Sequence, residues 1–322
     1  MKVFITRKIP EIAFKLLKRN KIPFDYYKSD EPIPRELLLR KVKNCEGVIS
    51  LLTEKIDKEV IDSMPECRII ANYAVGYNNI DIDYAKKKKI IVTNTPEVLT
   101  DSTADLTMAL ILACARRLSE GEKMLMSGNY KGWKPELLLG MELKDKIFGI
   151  IGAGRIGSAV ARRAKSFGTK IIYVDNNRNL ILEKETGAKK VQLKFLLKNS
   201  DILSLHLPLN EKTFHFLNQT KLNQLKQKSI LINTTRGEII DESALIKLLK
   251  RNKLFAVGLD VFENEPEINP ELLKFSNVLI IPHLGSATHE ARNGMSELAA
   301  QNIINVIKGK PPITPVFNYK LV

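Results

Sequence analysis

The segment IFGIIGAGRIG at residues 147–157 decides the fold of this chain. Its apolar first half has the composition of a buried strand and leads directly into three glycines with the spacing G-x-G-x-x-G. These are Gly152, Gly154 and Gly157, and the residues after them, SAVARRAKSFG, predict a helix. The glycines permit a tight turn, close approach of the backbone to a pyrophosphate, and close packing of helix on strand. The segment therefore predicts a dinucleotide site at a helix N-terminus.

The next predicted strand, KIIYV at 170–174, ends at Asp175. A dinucleotide fold places at this point the acid that hydrogen-bonds the adenosine ribose. The alternative is a turn aspartate at a strand end, which the preceding glycine fingerprint makes less favoured. A carboxylate here accepts bonds from the ribose diol and repels a 2′-phosphate, so Asp175 predicts NAD rather than NADP. Arg178 weakens this preference slightly, because a nearby cation could offset the repulsion.

Strands alternate with helices along the whole chain, in two successive series. This order predicts an α/β fold with two doubly wound parallel sheets. A helix at 100–120 without a polar face is interpreted as a connector, buried between domains or subunits, and its apolar part at 104–118 suggests a homodimer. A last helix, 297–309, is expected to cross back onto the first domain. The strand candidates are 2–6, 23–27, 47–50 and 68–72 in the first series and IFGII, KIIYV, ILSLHL, SILIN, FAVGLDV and NVLIIP in the second.

Composition limits the partners that the chain is expected to have. The formal charge of +15 comes from lysines scattered over 322 residues, and the run KKKK at 86–89 ends an amphipathic helix at 80–88. We expect no nucleic-acid partner, since no nucleic-acid motif accompanies this run. Apolar runs are far shorter than the roughly 18 residues of a membrane span, and no signal peptide is visible, so we expect a cytoplasmic protein with no membrane partner.

Cysteine and histidine spacing argues against a metal or disulfide framework. Three cysteines are odd in number and widely separated, and His215 and His289 lack the spacing of metal ligands. We therefore predict no metal. His206, in LHLP at a strand end, is interpreted as packing near the cofactor rather than transferring a proton.

Three chemically complementary residues follow the later strands. Arg236 ends INTTRG, Glu265 lies in LDVFENEP, and His283 lies in PHLG. In a doubly wound sheet, the carboxyl ends of the strands face one cleft, so these residues are expected to converge. Reduction of a 2-oxo acid needs a cation for the carboxylate, a proton donor titrating near neutrality, and a neighbour that orients that donor. The three residues match these three needs.

The ordered motifs NYAVGYNNIDID, GIIGAGRIG, LHLPL, INTTRG, GLDVFENEP and IPHLGSAT resemble the D-isomer-specific 2-hydroxyacid dehydrogenase family, most closely its glyoxylate/hydroxypyruvate reductases. The resemblance covers nearly the whole chain. It implies a flavodoxin-like substrate domain formed by residues 1–99 and 288–322, a Rossmann NAD-binding domain at 100–287, and a cleft between them.

The resemblance also implies roles for individual residues. Arg236 would bind the substrate carboxylate and carbonyl, His283 would be the general acid/base, and Glu265 would hydrogen-bond His283. The backbone at Val75 and Gly76 would hold the carboxylate. Further contacts to NAD are implied for Thr103, Arg155, Ile156, Thr234 and Asp260. In one departure, Asn78 stands where similar proteins usually have aspartate, which removes a charge near the substrate loop.

The expected activity is reversible NADH-dependent reduction of a small 2-oxo acid, with glyoxylate or hydroxypyruvate favoured, to the D-2-hydroxy acid. A D-3-phosphoglycerate dehydrogenase or a D-lactate dehydrogenase of the same family remains an alternative. Formate dehydrogenase is disfavoured, because glutamine would be expected in place of Glu265. A different class of function is an NADH-sensing interaction protein similar to the C-terminal binding proteins, although the disordered extensions usual in those corepressors are missing here.

Overall fold

The computed structural model describes residues 3–317, which divide into two compact units. The first unit runs up to Leu99 and resumes at Ala287, and the second spans Thr100–Ser286. Each contains one parallel sheet, so the predicted α/β class with two parallel sheets is confirmed. Lys2, at the start of the first predicted strand, and residues 318–322 of the predicted first domain lie outside the described residues.

The first unit is built on five short parallel strands in the order β2-β1-β3-β4-β5, which is the flavodoxin-like order. The strand β5 is absent from the strands predicted above. The strands are β1 (Val3–Ile5), β2 (Phe24–Tyr26), β3 (Gly47–Ser50), β4 (Ile69–Asn72) and β5 (Ile91–Thr93), and the helices between them are α1 (Ile12–Arg19), α2 (Arg35–Val42), α3 (Lys58–Asp62) and α4 (Ile82–Lys87).

The last helix of the chain, α12 (His289–Ile307), belongs to this first unit and packs on α1, β3 and β4. Its contacts include a 2.7 Å hydrogen bond from Ser296 Oγ to the carbonyl oxygen of Pro10. The predicted start at residue 297 is wrong. The helix begins eight residues earlier because the Thr288 hydroxyl caps it, accepting a 3.1 Å bond from the amide of Ala291.

The second unit is a seven-stranded parallel sheet in the order β12-β11-β10-β9-β6-β7-β8. The direction of winding reverses between β6 and β9, and ligands of such sheets bind beyond the carboxyl ends of the strands at this point. The strands are β6 (Ile147–Ile151), β7 (Lys170–Val174), β8 (Lys189–Lys190), β9 (Ile202–Leu205), β10 (Ile230–Asn233), β11 (Ala256–Leu259) and β12 (Val278–Ile280). The helices are α5 (Thr100–Ala115), α6 (Leu118–Met126), α7 (Arg155–Ser166), α8 (Leu180–Thr186), α9 (Leu193–Asn199), α10 (Gln219–Leu222) and α11 (Glu242–Lys250).

The predicted single helix at 100–120 is two helices. The chain breaks between α5 and α6 at Arg117, whose φ of 54° is left-handed, and the Arg117 guanidinium bonds the carboxylate of Glu120 at 2.8 and 2.9 Å. The interpretation of α5 as a connector between domains or subunits stays a prediction. The helix packs on α7, β10 and β11 of its own unit, and this burial accounts for its apolar surface. Within residues 3–317, no helix is long and apolar enough to cross a membrane.

Candidate active site

A histidine and a glutamate form a direct pair in the second unit. Nδ1 of His283 lies 2.8 Å from Oε2 of Glu265, while Oε1 of Glu265 accepts a 3.1 Å bond from the amide of Phe262. A carboxylate only accepts hydrogen bonds, so the Nδ1 proton of His283 points at Glu265 and Nε2 is left for other chemistry. Burial raises the pKa of Glu265, but the bond to His283 and the charges of His283 and Arg236 outweigh it, and the net pKa is lowered.

Arg236 follows β10 and lies close enough to this pair for its charge to act on Glu265. Burial lowers the pKa of the guanidinium, and the charges of Glu265 and Glu238 partly offset this effect. The preceding Asn233 shapes the turn: its Nδ2 donates to the carbonyl of Arg236 at 2.8 Å, and its Oδ1 accepts from the amide of Thr235 at 3.1 Å. The three sequence-predicted residues are thus grouped at one edge of the sheet.

A buried carboxylate holds the loop that carries His283. Asp260 is fully buried, and its two oxygens accept bonds from the amides of Leu284 (2.5 Å) and Gly285 (2.9 Å). The Asp260 carbonyl accepts a further 2.9 Å bond from the amide of His283, whose φ of 50° is left-handed. Such a backbone is costly for a side chain as large as histidine, so the surrounding bonds must maintain it. Burial raises the pKa of Asp260.

A second glutamate supports the loop that carries Glu265. The Glu263 carboxylate lies 2.7 Å from Nε2 of His215 and accepts a 3.2 Å bond from the amide of Glu242. In the reciprocal bond, the Glu242 carboxylate accepts from the Glu263 amide at 2.8 Å. His215, whose place near the site was not predicted, therefore contacts a residue only two positions before Glu265.

The glycine loop has the shape of a dinucleotide cradle. Gly152 has a φ of 95°, and a Cβ there would come within 2.5 Å of the His206 carbonyl oxygen. A Cβ on Gly157 would come within 2.0 Å of the Gly152 carbonyl oxygen, so both glycines are required by packing. A Cβ on Gly154 would meet no atom within 4 Å. The space over Gly154, at the N-terminus of α7, is where a pyrophosphate would fit.

Asp175 and Asn179, which both follow β7, bond the backbone of Ala153 in the middle of the glycine loop. Oδ2 of Asp175 accepts from the Ala153 amide at 2.7 Å, and Nδ2 of Asn179 donates to the Ala153 carbonyl at 2.9 Å. The same Nδ2 lies 3.0 Å from Oγ of Ser158. This use of Asn179 was not anticipated from the sequence.

The remaining residues assigned to NAD by resemblance lie around these loops. The Thr103 hydroxyl donates to the Gly285 carbonyl at 3.1 Å, and the Thr234 hydroxyl lies 3.0 Å from that of Thr107. Arg155 is exposed and Ile156 half-buried in the first turn of α7. Together with the open space over Gly154, this donor set fits a dinucleotide.

The first unit carries its own ordered loop after β4. The side chain of Asn94 donates to the Val75 carbonyl, and that of Asn72 donates to the Gly76 carbonyl, both at 2.8 Å. Asn79 donates to the carbonyls of Leu51 and Glu54 at 3.0 and 3.1 Å. Asn78, the departure noted above, is exposed.

Comparison with known proteins gives consistent matches. The profile described as "D-isomer specific 2-hydroxyacid dehydrogenase, NAD binding domain" matches residues 108–285. The chain is 50% identical over 315 residues to a glyoxylate reductase of Thermococcus litoralis, covering 97% of this chain and 95% of that protein. It is 47% identical to a glyoxylate reductase of Pyrococcus horikoshii, covering 98% and 95%.

Structural comparison agrees. The crystal structure of the TT0316 protein from Thermus thermophilus is similar with a TM-score of 0.92 at 39% identity, covering 98% of this chain and all of that one. The predicted resemblance and the predicted nicotinamide coenzyme class are confirmed by these matches. The chain belongs to the D-isomer-specific 2-hydroxyacid dehydrogenase family.

Proposed function

We propose that this protein reduces glyoxylate or hydroxypyruvate reversibly to the D-2-hydroxy acid with NADH. The observation that carries the proposal is the His283–Glu265 pair, in which Nδ1 is engaged by a carboxylate and Nε2 is left to act on a ligand. The reduced nicotinamide, when bound, supplies a hydride to the carbonyl carbon. The protein must then deliver one proton to the carbonyl oxygen and hold the carboxylate of the substrate.

The three polar residues divide these tasks. We assign the proton to Nε2 of His283, since the bond from Nδ1 to Glu265 fixes the ring orientation. We assign the substrate carboxylate and carbonyl to Arg236, because a partly desolvated guanidinium gains most from an anion. In the oxidative direction, His283 accepts the hydroxyl proton. The backbone amides at Val75 and Gly76, whose carbonyls are already bonded, would hold the carboxylate further.

The coenzyme assignments follow the glycine loop. Gly152, Gly154 and Gly157 shape the pyrophosphate position, and Asp175 keeps one oxygen for the adenosine ribose while the other bonds Ala153. Arg155 and Ile156, in the first turn of α7, supply amides to the phosphates. Thr103, Thr234 and Asp260 complete the proposed set of contacts.

A loop of the first unit favours a small substrate without a second charge. Arg7, at the end of β1, lies 3.0 Å from the Thr53 hydroxyl and 3.5 Å from the carboxylate of Glu54. Glu54 is buried and also accepts a 2.7 Å bond from the Leu51 amide. We expect residues 51–53 to line the substrate side chain. Because Glu54 already pairs with Arg7, this cation offers a phosphorylated substituent less attraction than an unpaired guanidinium would.

A panel of 2-oxo acids tests this proposal. We expect kcat/KM with NADH to be highest for glyoxylate or hydroxypyruvate, lower for pyruvate and lowest for 3-phosphohydroxypyruvate. A preference for pyruvate would identify a D-lactate dehydrogenase, and a preference for the phosphorylated acid a phosphoglycerate dehydrogenase. Negligible turnover of every acid, with NADH-dependent association, would favour the interaction protein instead.

We also propose that the protein is a cytoplasmic homodimer. Residues 118–139, called here the apolar arm, expose Trp133 to 80%, Met126 to 84% and Leu125 to 63% of their surfaces. An exposed apolar group of this kind is typical of a protein interface. The support for a dimer therefore moves from the apolar helix α5 to this arm. Three buried free thiols, Cys45, Cys67 and Cys114, are in keeping with a reducing compartment.

A further inference from the structure

We infer that Glu183 helps this protein to select NADH over NADPH by binding Arg178 and withholding it from a coenzyme 2′-phosphate. The inference rests on the proposed placement of the adenosine ribose at Asp175. Selection would then depend on two residues. Asp175 repels the 2′-phosphate, and Glu183 forms an ion pair with Arg178, the cation on the same loop that could offset this repulsion.

Arg178 lies on the loop between β7 and α8, three residues after Asp175. Such a position is suited to a 2′-phosphate, since arginine binds phosphate through two parallel hydrogen bonds. Two nitrogens of its guanidinium bond one carboxylate in this structure. Nε donates to Oε1 of Glu183 at 3.2 Å, and Nη2 forms a salt bridge with Oε2.

Glu183 is held in place by the structure around it. Its side chain is 15% exposed, whereas that of Arg178 is 65% exposed. The hydroxyl of the fully buried Tyr173 donates to Oε1 of Glu183 at 2.6 Å and accepts a 2.8 Å bond from the amide of Asn179. Glu183 is therefore the fixed partner, and Arg178 is the exposed side chain held by it.

The same frame connects this ion pair to the coenzyme loop. Asn179 caps α8 by accepting a 3.0 Å bond from the Leu182 amide, and its Nδ2 reaches the carbonyl of Ala153. Asp175 bonds the amide of that same alanine. Residues 175–179 thus place the ribose acid and Arg178 on one short ordered segment, with Glu183 on the following helix.

The test is equilibrium binding of NADPH, NADH and adenosine 2′,5′-bisphosphate to Glu183→Gln. Glutamine can still accept the bond from the Tyr173 hydroxyl, but it carries no charge to hold Arg178. We expect the variant to bind NADPH and the bisphosphate about tenfold more tightly, which corresponds to one gained charge-assisted contact, and to bind NADH within about twofold of the parent.

Glu185→Gln is the matched control. Glu185 lies on the same helix and forms a comparable exposed ion pair with Arg162 at 2.6 Å, so its loss changes the net charge equally. The double variant Arg178→Ala/Glu183→Gln should lose the gain, because the released guanidinium is what binds the phosphate.

The inference is overturned if Glu183→Gln leaves NADPH affinity unchanged, if Glu185→Gln raises it equally, or if the gain persists without Arg178. A wrong placement of the coenzyme would give a different result. Asp175→Ala would then leave NADH affinity intact, whatever the effect of Glu183→Gln. Unfolding temperatures of all variants, measured without coenzyme, verify that each one is folded.

Discussion

His283 and Glu265 share a 2.8 Å hydrogen bond although 18 positions separate them, and each residue is held by a further hydrogen bond. Phe262 donates to the second oxygen of Glu265, and the Asp260 carbonyl accepts from the amide of His283. The pair is therefore ordered before any substrate binds, which is the arrangement that proton transfer requires.

Replacing His283 by glutamine should remove the proton donor and leave the fold intact, because the side chain is only partly buried. We expect kcat to fall by roughly 10²–10⁴ while NADH affinity is retained. Steady-state kinetics and coenzyme titration measure the two effects. His289→Gln, at the exposed start of α12, is the control. Near-normal turnover in the His283 variant would contradict the assignment.

Arg236→Lys keeps the charge but loses the planar pair of donors. We expect kcat/KM for the 2-oxo acid to fall roughly 10- to 100-fold, mainly through a higher KM, because lysine cannot bind a carboxylate through two parallel bonds. Arg251→Lys, at the exposed end of α11, should show no change. An unaltered KM in the Arg236 variant would remove Arg236 from the substrate site.

Two glycine substitutions should separate coenzyme binding from stability. Gly154→Ala places a methyl group in open space, so we expect normal unfolding and NADH binding weakened at least about tenfold. Gly157→Ala drives a methyl group against the Gly152 carbonyl, so we expect stability to fall by roughly 1–3 kcal/mol or more. Denaturant titrations and NADH titrations distinguish the two. Tight NADH binding by Gly154→Ala would contradict the pyrophosphate placement.

The neutral state of His206 predicts a pH effect on stability. Burial lowers the pKa of His206 to about 3, and Nε2 lies 2.8 Å from Oγ of Ser204. The unfolded chain takes up a proton near pH 6.5, whereas the folded chain resists protonation until about pH 3. Stability contributed by this residue is therefore lost as the pH falls through that window, by up to roughly 1.4 kcal/mol per pH unit.

The measurement compares the parent with His206→Gln by urea unfolding between pH 7 and about pH 4. The variant lacks this proton uptake, so the difference in unfolding free energy should shift in its favour as the pH falls. Parallel pH profiles for the two proteins would show that His206 protonates freely in the folded state.

The apolar arm gives a prediction about assembly. Trp133→Glu should convert the proposed dimer to a monomer, because a charge would be buried in an apolar interface. Light scattering after gel filtration measures the mass. Phe195→Glu, which changes another exposed aromatic residue of the second unit, is the control and should leave the mass unchanged. A parent protein that is already monomeric would refute the dimer.

Much of the fold could be predicted from the sequence because its central strands are continuous runs rich in β-branched and aromatic residues. The seven-stranded sheet contains IFGII and KIIYV as strands with the predicted bounds, Ile147–Ile151 and Lys170–Val174. The edge strand β8 could not be predicted, since Lys189 and Lys190 are exposed and pair only on one side with β7. Its polar sequence carries no strand pattern.

The candidate site was predictable in its residue types but not in its supporting contacts. Strand ends indicated where Arg236, Glu265 and His283 would gather. The sequence carried no sign that Asp260 bonds two amides beside His283, because a buried aspartate after a strand equally suits a ligand contact. The break at Arg117 was also missed, since a single left-handed residue leaves no trace in apolar periodicity.

The hydrogen bonds of Asp175 and Asn179 to the amide and carbonyl of Ala153 have a thermodynamic consequence. The coenzyme arrives at a loop whose conformational entropy was already lost during folding. Little ordering then remains to oppose its association, and the affinity reflects the contacts made rather than the cost of arranging them.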